Sequence, residues 1–214
     1  MPNWCDGDIT IYGSREDLEK LVAQGQQGTR QVGEDWDSEK REYKTFQTKP
    51  NNFSFENFLP TPPELLNGEG WYNWRVANWG TKWDLDQDNS IVGFIIPSTD
   101  PSKNGEYELG LGVQTAWSPA TGVFQKISED YPDLHIEYRY VEEGMAFFGI
   151  DYIHNGEVEE DTRKITAEDL KIAGCVLDSE GNVDWEKTDE YDLYLALDTW
   201  KEYDLETEGE KTNG

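Results

Sequence analysis

The sequence has 214 residues, with 45 acidic and 18 basic side chains, and its formal net charge is -27 at pH 7. A chain of this length can bury a substantial hydrophobic core, so we expect one domain or a domain with a smaller addition. Such a charge excludes nucleic-acid binding by counterion release, because that mode requires clustered Lys and Arg. The protein is therefore expected to bind no nucleic acid directly.

Three explanations of the acidity remain open. The acidic residues can form a solvated surface suited to a saline environment, in which ions screen repulsion over about 10 Å or less. They can instead form a face that binds a basic partner, with carboxylates that imitate the phosphates of a nucleic acid. Metal binding is the third explanation, but no segment has the alternating aspartates and glycine of a calcium-binding loop.

The amino terminus lacks the basic and apolar regions of a signal peptide, and no apolar run is long enough to span a bilayer. Cys5 and Cys175 are too few and too far apart for a disulfide framework or a zinc knuckle. Two free thiols suit a reducing compartment. We therefore expect a cytoplasmic protein without metal, cofactor or membrane contact, and both cysteines are interpreted as packing residues.

The amino-terminal part of the chain predicts a strand followed by a helix. Residues 8–12 alternate polar and apolar side chains, as a half-buried strand does. Ser14 with Asp17 is close to a capping box and precedes apolar residues at helical spacing. The polar, glycine-rich segment over residues 25–50 predicts a long inserted loop.

Aromatic residues dominate the next part of the sequence. Residues 52–59 alternate again, which predicts a second strand before the prolines at 60–63 force an extended turn. The tryptophans within residues 71–79 have the spacing of a short amphipathic helix, with Gly80 as its stop. Residues 81–85 are predicted to begin a strand.

The middle of the chain predicts four more strands around one helix. Segments 90–96 and 107–117 are rich in strand-forming residues, and Gly110 and Gly112 within the second are interpreted as sites of close packing. A helix is predicted to begin at Ser118, because serine caps a helix and proline suits its first turn. Its buried stripe is expected to contain Val123, Phe124 and Ile127. Segments 134–141 and 145–152 then predict a hairpin.

The carboxyl-terminal third is more acidic than the rest. From Gly156 onward it contains nineteen acidic and six basic residues, a net charge of -13. Thr166 begins an N-cap signature, and residues 188–200 have the pattern of an amphipathic helix. Residues 206–214 are expected to be a frayed tail.

Four motifs occur in order and resemble one family. They are Met-Pro-Asn-Trp-Cys leading to Ile-Thr-Ile-Tyr-Gly, Trp-x-x-x-Asn-Trp-Gly-Thr-Lys-Trp-Asp at 74–84, Thr-Ala-Trp-Ser-Pro at 115–119, and Tyr-Pro-Asp-Leu leading into Tyr-x-Tyr-x-Glu-x-Gly at 131–144. Over residues 1 to about 156 the sequence thereby resembles the YubB-like ferredoxin-like proteins of phages and plasmids. The resemblance implies a β-α-β-β-α-β fold and no activity.

We therefore predict an α+β fold in which helices pack on one face of a ferredoxin-like antiparallel sheet. The ferredoxin-like domain is predicted over residues 1–156, with the inserted loop, and an acidic C-terminal extension or subdomain over residues 157–214. The covered face of the sheet is expected to receive Ile9, Ile11, Leu18, Phe124 and Ile136.

The stretch from Trp71 to Asp84 has two interpretations. It can form a ligand pocket with indole walls and with Lys82 and Asp84 as polar groups. Alternatively, the tryptophans anchor the crossing from helix to sheet, Gly80 adopts a positive φ, and Lys82 pairs with Asp84 or a nearby acid. The candidate ligand-binding residues are Trp74, Asn78, Trp79, Gly80, Thr81, Lys82, Trp83, Asp84 and Trp117.

Other motifs offer less chemistry. His135 and His154 lack metal-site spacing and are interpreted as structural. The sequence has no dinucleotide fingerprint, phosphate-binding lysine loop or nucleophile elbow, so no catalytic residue is predicted and an enzyme is not favoured. The candidate partner-binding residues are Glu157, Glu159, Glu160, Asp161, Glu168 and Asp169.

Two main functional hypotheses follow. The first is a non-enzymatic accessory protein of a phage or other mobile element, which binds a basic host protein or nuclease and imitates nucleic acid to inhibit host defence. The second is a small-ligand or nucleotide-binding module built on the Trp-Gly-Thr-Lys-Trp-Asp stretch, and an enzyme is one form of this hypothesis. If the acidity reflects only a saline habitat, neither partner is required.

Overall fold

The computed structural model describes residues 3–39, 42–47, 53–66, 70–85, 88–103 and 105–189, and eight strands and four α-helices lie within these ranges. The strands are β1 (Trp4–Gly13), β2 (Arg30–Asp37), β3 (Glu42–Gln47), β4 (Ser90–Pro97), β5 (Tyr107–Ala116), β6 (His135–Glu142), β7 (Phe147–His154) and β8 (Glu157–Lys164). The helices are α1 (Arg15–Gly25), α2 (Gly70–Trp79), α3 (Thr121–Asp130) and α4 (Ala167–Ile172).

Six strands form one antiparallel sheet in the order β4-β5-β1-β6-β7-β8, and β2 pairs with β3 separately. Strand β1 pairs along almost its whole length with β5 on one side and β6 on the other. The order β4-β5-β1-β6, with α1 and α3 as the helices between strands, is the ferredoxin-like arrangement. The predicted α+β, ferredoxin-like fold is therefore confirmed.

The hydrophobic core lies between this sheet and helices α1 and α3. Alternate residues of β1 are buried because side chains of a strand point to opposite faces. The residues predicted to fill the covered face all belong to one buried cluster: Ile9, Ile11, Leu18, Phe124 and Ile136. That prediction is confirmed, and it places both helices on the same face.

The two core helices differ in how well their starts were predicted. Ser14 caps α1 as expected, since its hydroxyl accepts a hydrogen bond from the backbone N–H of Asp17 at 3.1 Å. Helix α3 begins at Thr121, so the prediction that Ser118 caps it is wrong. The Ser118 hydroxyl instead donates to the carbonyl oxygen of Gly80 at 2.5 Å and thereby fixes the loop after β5.

The predicted strand over residues 52–59 is also wrong, because residues 55–57 form a 3-10 helix. The carboxylate of Asp84 accepts hydrogen bonds from the Ser54 hydroxyl at 2.6 Å and from the backbone N–H of Phe55 at 2.6 Å. A backbone donor held in this way cannot join a strand ladder. The alternating phenylalanines are nevertheless buried, so burial and not strand structure explains their spacing.

Two further segments differ from their predicted structure, each for its own reason. The segment 25–50 contains the β2–β3 hairpin where a loop was predicted, because a ladder of backbone hydrogen bonds needs no apolar composition. Residues 81–85 form bends where a strand was predicted. Here the Thr81 hydroxyl donates to the carbonyl oxygen of Ala116, and the backbone N–H of Leu85 donates to the carboxylate of Asp84.

The carboxyl-terminal part begins within the sheet. Strand β8 extends the sheet past the predicted boundary at residue 156, and the compact units divide between Arg163 and Lys164. In the second unit α4 begins with a complete capping box formed by Thr166 and Asp169. The predicted helix over 188–200, except its first two residues, and the tail over 206–214 lie outside the described residues. No helix in the described ranges is both long and apolar enough to cross a bilayer.

Gly122 tests the contact between α2 and α3. A β-carbon at Gly122 would collide with the backbone carbonyl oxygen of Asn78. Helix propensity alone favours Ala over Gly by about 1 kcal/mol, yet we expect Gly122→Ala to lower the free energy of unfolding by about 1–3 kcal/mol through overpacking. The control is Gly110→Ala, an exposed strand position that should be neutral or stabilised. Equal effects of the two substitutions in urea unfolding would contradict the close contact.

Candidate functional site

Helix α2 places the first part of the tryptophan stretch in the core. Trp79 has no exposed surface, and its Nε1 donates to the carbonyl oxygen of Leu59 at 2.7 Å. The rings of Phe55 and Trp74 meet it edge-on, with centroids at 5.8 and 6.3 Å. Trp79 therefore anchors α2 to the fold, and its indole surface is already covered.

A buried ion pair supports this anchor. Arg75 is 1% exposed, and its Nη2 lies 2.6 Å from Oε1 of Glu56. Its guanidinium stacks over the ring of Trp79 at 4.3 Å and donates through Nε to Thr61 at 2.9 Å. Burial lowers the pKa of Arg75 and raises the pKa of Glu56. The desolvation of the two charged groups therefore outweighs their mutual attraction. Sequence reasoning missed this pair, because its members are nineteen residues apart.

Three further candidate ligand residues hold backbone segments together. Gly80 has φ 92°, and a β-carbon there would collide with the carbonyl oxygen of Pro119. The Thr81 hydroxyl donates to the carbonyl oxygen of Ala116 at 3.2 Å and accepts from its N–H at 3.0 Å. Asp84 caps the turn at residues 54–56. Of these contacts, the structural interpretation of the stretch predicts only the positive φ of Gly80.

Lys82 lies against two aromatic rings. Its Nζ lies 3.5 Å from the ring centroid of Trp83 and 4.3 Å from that of Trp117, so the ammonium sits between two indoles. Trp4 adds a third indole, 5.9 Å from Trp83 and 39% exposed. The structure thus brings Lys82, Trp83 and Trp117 together, but the lysine already occupies the aromatic faces that a ligand would use.

The remaining two candidates lie on α2. The side-chain amide of Asn78 is exposed and donates to the carbonyl oxygen of Trp74 at 2.8 Å. Trp74 is half-buried and packs against the core. A ligand-binding role for any residue of the stretch stays a prediction.

The opposite face of the sheet carries a row that sequence reasoning did not assemble. Ile91, Gly112, Asp8 and Arg139 lie side by side on four neighbouring strands. Their side chains share the face away from α1 and α3, because the buried residues of β1 alternate with Asp8. This second face is where an exposed carboxylate and an exposed apolar side chain come close.

The carboxylate of Asp8 on β1 lies in an unfavourable electrostatic environment. Asp8 is exposed and forms no ion pair with a described residue. Partial burial and the neighbouring Asp6 raise its pKa, against a smaller opposite effect of Arg139. Arg139 lies 3.8 Å from Glu137, while the side-chain amide of Gln114 donates to Asp6 at 2.6 Å. Negative charge on this strand is therefore only partly compensated.

Gly110 and Gly112 of β5 leave the surface of the sheet beside β1 without side chains. Gly110 is exposed, and no atom of a described residue lies within 4 Å of where its β-carbon would be. A β-carbon at Gly112 would meet Ile91 Cβ at 3.7 Å and Asp8 Oδ1 at 3.9 Å, which are ordinary contacts. The interpretation of both glycines as close-packing sites is therefore wrong.

Strand β4 borders these glycines with apolar side chains. Ile91 is 74% exposed, Phe94 90% and Ile96 44%. Sequence reasoning missed them because an uninterrupted apolar run normally marks a buried strand. The order of strands in the sheet, which the sequence does not show, places this run at an edge.

The candidate partner-binding residues lie on two separate elements. Glu157, Glu159, Glu160 and Asp161 belong to the edge strand β8, and Asp161 pairs with Arg163 at 2.5 Å. Glu168 and Asp169 belong to α4, where the carboxylate of Asp169 completes the capping box. Their role in binding stays a prediction.

Acidic side chains on the helices are compensated to a greater extent. In α1, Arg15 lies 2.8 Å from Glu19 and Lys20 lies 2.9 Å from Glu16. In α3, Lys126 lies 2.5 Å from Asp130. On β8, by contrast, no described base pairs with the three glutamates Glu157, Glu159 and Glu160. Among α1, α3, β1 and β8, the carboxylates without a described ion pair therefore lie on the strands.

The two histidines meet on neighbouring strands. His135 and His154 are register partners whose rings stack with centroids 3.9 Å apart and planes 5° apart. Nδ1 of His154 lies 3.1 Å from the carbonyl oxygen of Leu134. Burial, then Lys103 and His154, lower the pKa of His135. Within the described ranges, no three His, Cys, Asp or Glu side chains converge to hold a metal ion.

Truncation of the buried arginine tests the anchor. We expect Arg75→Ala to lower the free energy of unfolding by about 3–5 kcal/mol, because Glu56 would stay buried without its partner. The double variant Arg75→Met with Glu56→Gln should recover most of that loss. Urea unfolding of the single and double variants measures the coupling. Additive losses would contradict the ion pair.

The histidine pair predicts a pH dependence. Because the folded state lowers the pKa of His135, the stability that this residue contributes is present above its ordinary pKa and is lost as pH falls through the lowered value. His135→Gln should therefore reduce the loss of stability between pH 7.5 and pH 5.5 in urea unfolding. Carboxylate protonation affects both proteins alike, so the wild-type minus variant difference isolates the histidine. A difference that does not change with pH would refute this.

Comparisons with known proteins address the fold. A family model described as "Ferredoxin-like domain in Api92-like protein" matches residues 98–174. The crystal structure of a protein api92 from Yersinia pseudotuberculosis is similar at 10% identity with a TM-score of 0.49, over 77% of this chain and 98% of that chain. None of the curated proteins matches. The stretch from residue 98 to 174, which spans β5 to α4, is thus similar to the ferredoxin-like domain of Api92-like proteins.

Proposed function

We propose that this protein is a non-enzymatic accessory protein that binds a basic partner protein through the uncompensated carboxylates of its sheet. The observation that carries the proposal is the contrast between paired acids on α1 and α3 and acids on β1 and β8 without a described ion pair: Asp8, Glu157, Glu159 and Glu160. A binding surface of this kind attracts Lys and Arg side chains and speeds association with a basic protein.

The sheet geometry supports imitation of nucleic acid. Same-face residues of a strand are about 6.7 Å apart, and neighbouring strands are about 4.8 Å apart. Glu157 and Glu159 share one face of β8 at this spacing, whereas Glu160 points to the other face. Carboxylates spaced in this way offer planar acceptors to arginine, which binds carboxylate and phosphate with the same two-pronged geometry. The partner that fits is therefore a protein whose basic surface normally binds a phosphate backbone.

The proposed setting follows from the sequence resemblance to YubB-like proteins of phages and plasmids. In that setting the protein acts in the cytoplasm of a host cell, and inhibition of a host nuclease or defence factor is the use that an acidic decoy would have. The sequence motifs at residues 74–84 and 131–144 support the setting.

A ligand-binding role for the tryptophan stretch is less favoured. Its Lys82 is held between two indoles, and Asp84 caps a neighbouring turn. Trp4, which is 39% exposed, leaves indole surface in the same cluster for a planar ligand. Tryptophan fluorescence in a ligand screen would detect such binding.

Matched charge variants test the main proposal. The protein is immobilised and exposed to host lysate at about 50 mM salt and then at rising salt, where screening weakens charge attraction. The sheet variant carries Asp8→Asn, Glu157→Gln, Glu159→Gln and Glu160→Gln. The control variant removes the same number of charges from the helices through Glu16→Gln, Glu19→Gln, Glu129→Gln and Asp130→Asn.

The wild type and the helix control should retain the same basic proteins, and the sheet variant should lose them. Retained proteins should elute as salt rises, because the attraction is electrostatic. Failure of the wild type to retain any protein at about 50 mM salt would overturn the proposal. Equal loss in both variants would show that total charge, and not the sheet, determines retention.

A further inference from the structure

The second face of the sheet contains a groove, which we call the sheet groove. Its floor is Gly110 and Gly112 of β5, its apolar wall is Ile91, Phe94 and Ile96 of β4, and its acidic wall is Asp6 and Asp8 of β1. The three strands are neighbours in the sheet, with β5 in the middle. The groove is therefore one strand wide at its floor, with apolar side chains along one side and carboxylates along the other.

The apolar wall is unusual for this chain. Strand β4 contains no charged residue although 29% of the sequence is charged. Edge strands of soluble proteins normally carry charges, as β8 does here. A register shift between Val92 and Ile95 puts Phe94 outside the regular ladder, and its side chain is 90% exposed. Contiguous exposed apolar side chains of this kind mark binding surfaces.

The floor keeps the groove open. A side chain at Gly110 would stand on the second face, where the described residues leave open space. Valine, isoleucine or threonine would suit an exposed strand better than glycine, which weakens it. Glycine at position 110 thus makes β5 less stable than a β-branched residue would, and it does so at the position where a side chain would fill the groove.

The spacing of the two walls favours an α-helix as the occupant of the groove. Strands β4 and β1 are separated by two interstrand spacings, about 9.6 Å. Side chains on both strands narrow this gap, so an α-helix, about 10–12 Å in diameter with its side chains, rests on the two walls above the glycine floor. Such a helix needs apolar side chains on one flank and Lys or Arg on the other, because Asp8 is exposed and has no ion pair with a described residue.

We propose that the sheet groove binds an amphipathic, basic helix of a partner protein, with its apolar flank on Ile91, Phe94 and Ile96 and its basic flank on Asp6 and Asp8. This inference rests on the proposed function, since it takes the partner to be basic, and it adds the surface and the recognised segment. A second copy of this chain fits less well, because each copy carries a charge of -27. Addition of a strand to β4 is hindered by the register shift.

A designed peptide tests the groove without knowledge of the partner. The probe is a fluorescein-labelled helical peptide of leucine and lysine with all leucines on one flank, and its comparison has the same composition in a scrambled order. Binding is measured by fluorescence anisotropy with the full-length protein. The helical probe should bind in a 1:1 ratio and at least tenfold more tightly than the scrambled one.

Three variants locate the site. Phe94→Ser should weaken binding of the helical probe about tenfold without changing its salt dependence, since the lost contact is apolar. Asp8→Asn should weaken binding and reduce the salt dependence. Gly110→Val should abolish binding while leaving the protein at least as stable, because it fills the floor at an exposed strand position. The control is Met145→Ser, which removes an apolar side chain that is 65% exposed outside the groove.

The inference is overturned if both peptides bind equally or if Gly110→Val and Met145→Ser bind the helical probe alike. It is also overturned if sedimentation shows a dimer that Phe94→Ser dissociates, because a second copy would then occupy the groove. Retention of basic lysate proteins by the Gly110→Val variant would leave the proposed function intact and reject only the groove. If the wild type retains no lysate protein but binds the helical probe tightly, the proposed basic partner is rejected and the groove is kept as a helix-binding surface.

Discussion

The alternation of β1 between two faces is the constraint on which the rest of the structure depends. One set of its side chains, including Ile9 and Ile11, enters the core under α1 and α3. The other set, including Asp6 and Asp8, stands on the second face. Because β1 pairs with both β5 and β6, a register slip of one residue would expose the core and bury the carboxylates together. Fold and charged surface are thus set by the same strand.

Buried polar contacts hold the tryptophan stretch within the fold. The Arg75–Glu56 pair, the Asp84 cap and the Trp79 hydrogen bond to Leu59 connect α2 to residues 54–61. Each is satisfied within the fold, and each would cost free energy if one partner were lost. This explains how a segment rich in aromatic and charged groups can look like a binding site in the sequence and act as a support in the structure.

The charge distribution separates the helices from the sheet. Bases lie three or four residues from acids on α1 and α3, whereas Asp8 of β1 and Glu157, Glu159 and Glu160 of β8 have no described ion pair. The apolar edge of β4 lies at one end of the same sheet. In the proposed complex, electrostatic attraction and desolvation act on a single partner.

The sequence by itself determined the α+β class, most strands of the sheet, helix α1 with its Ser14 cap, the Gly80 stop and the buried faces, because these depend on local periodicity and capping. It misjudged residues 52–59 and Ser118, since their hydrogen bonds go to Asp84 and Gly80, which are distant in the sequence. Only the tertiary structure could show that β4 is an edge, that the described residues leave open space at Gly110 and that Lys82 meets Trp117. Strand order and side-chain neighbours across a sheet depend on contacts between distant segments, and a linear pattern does not encode them.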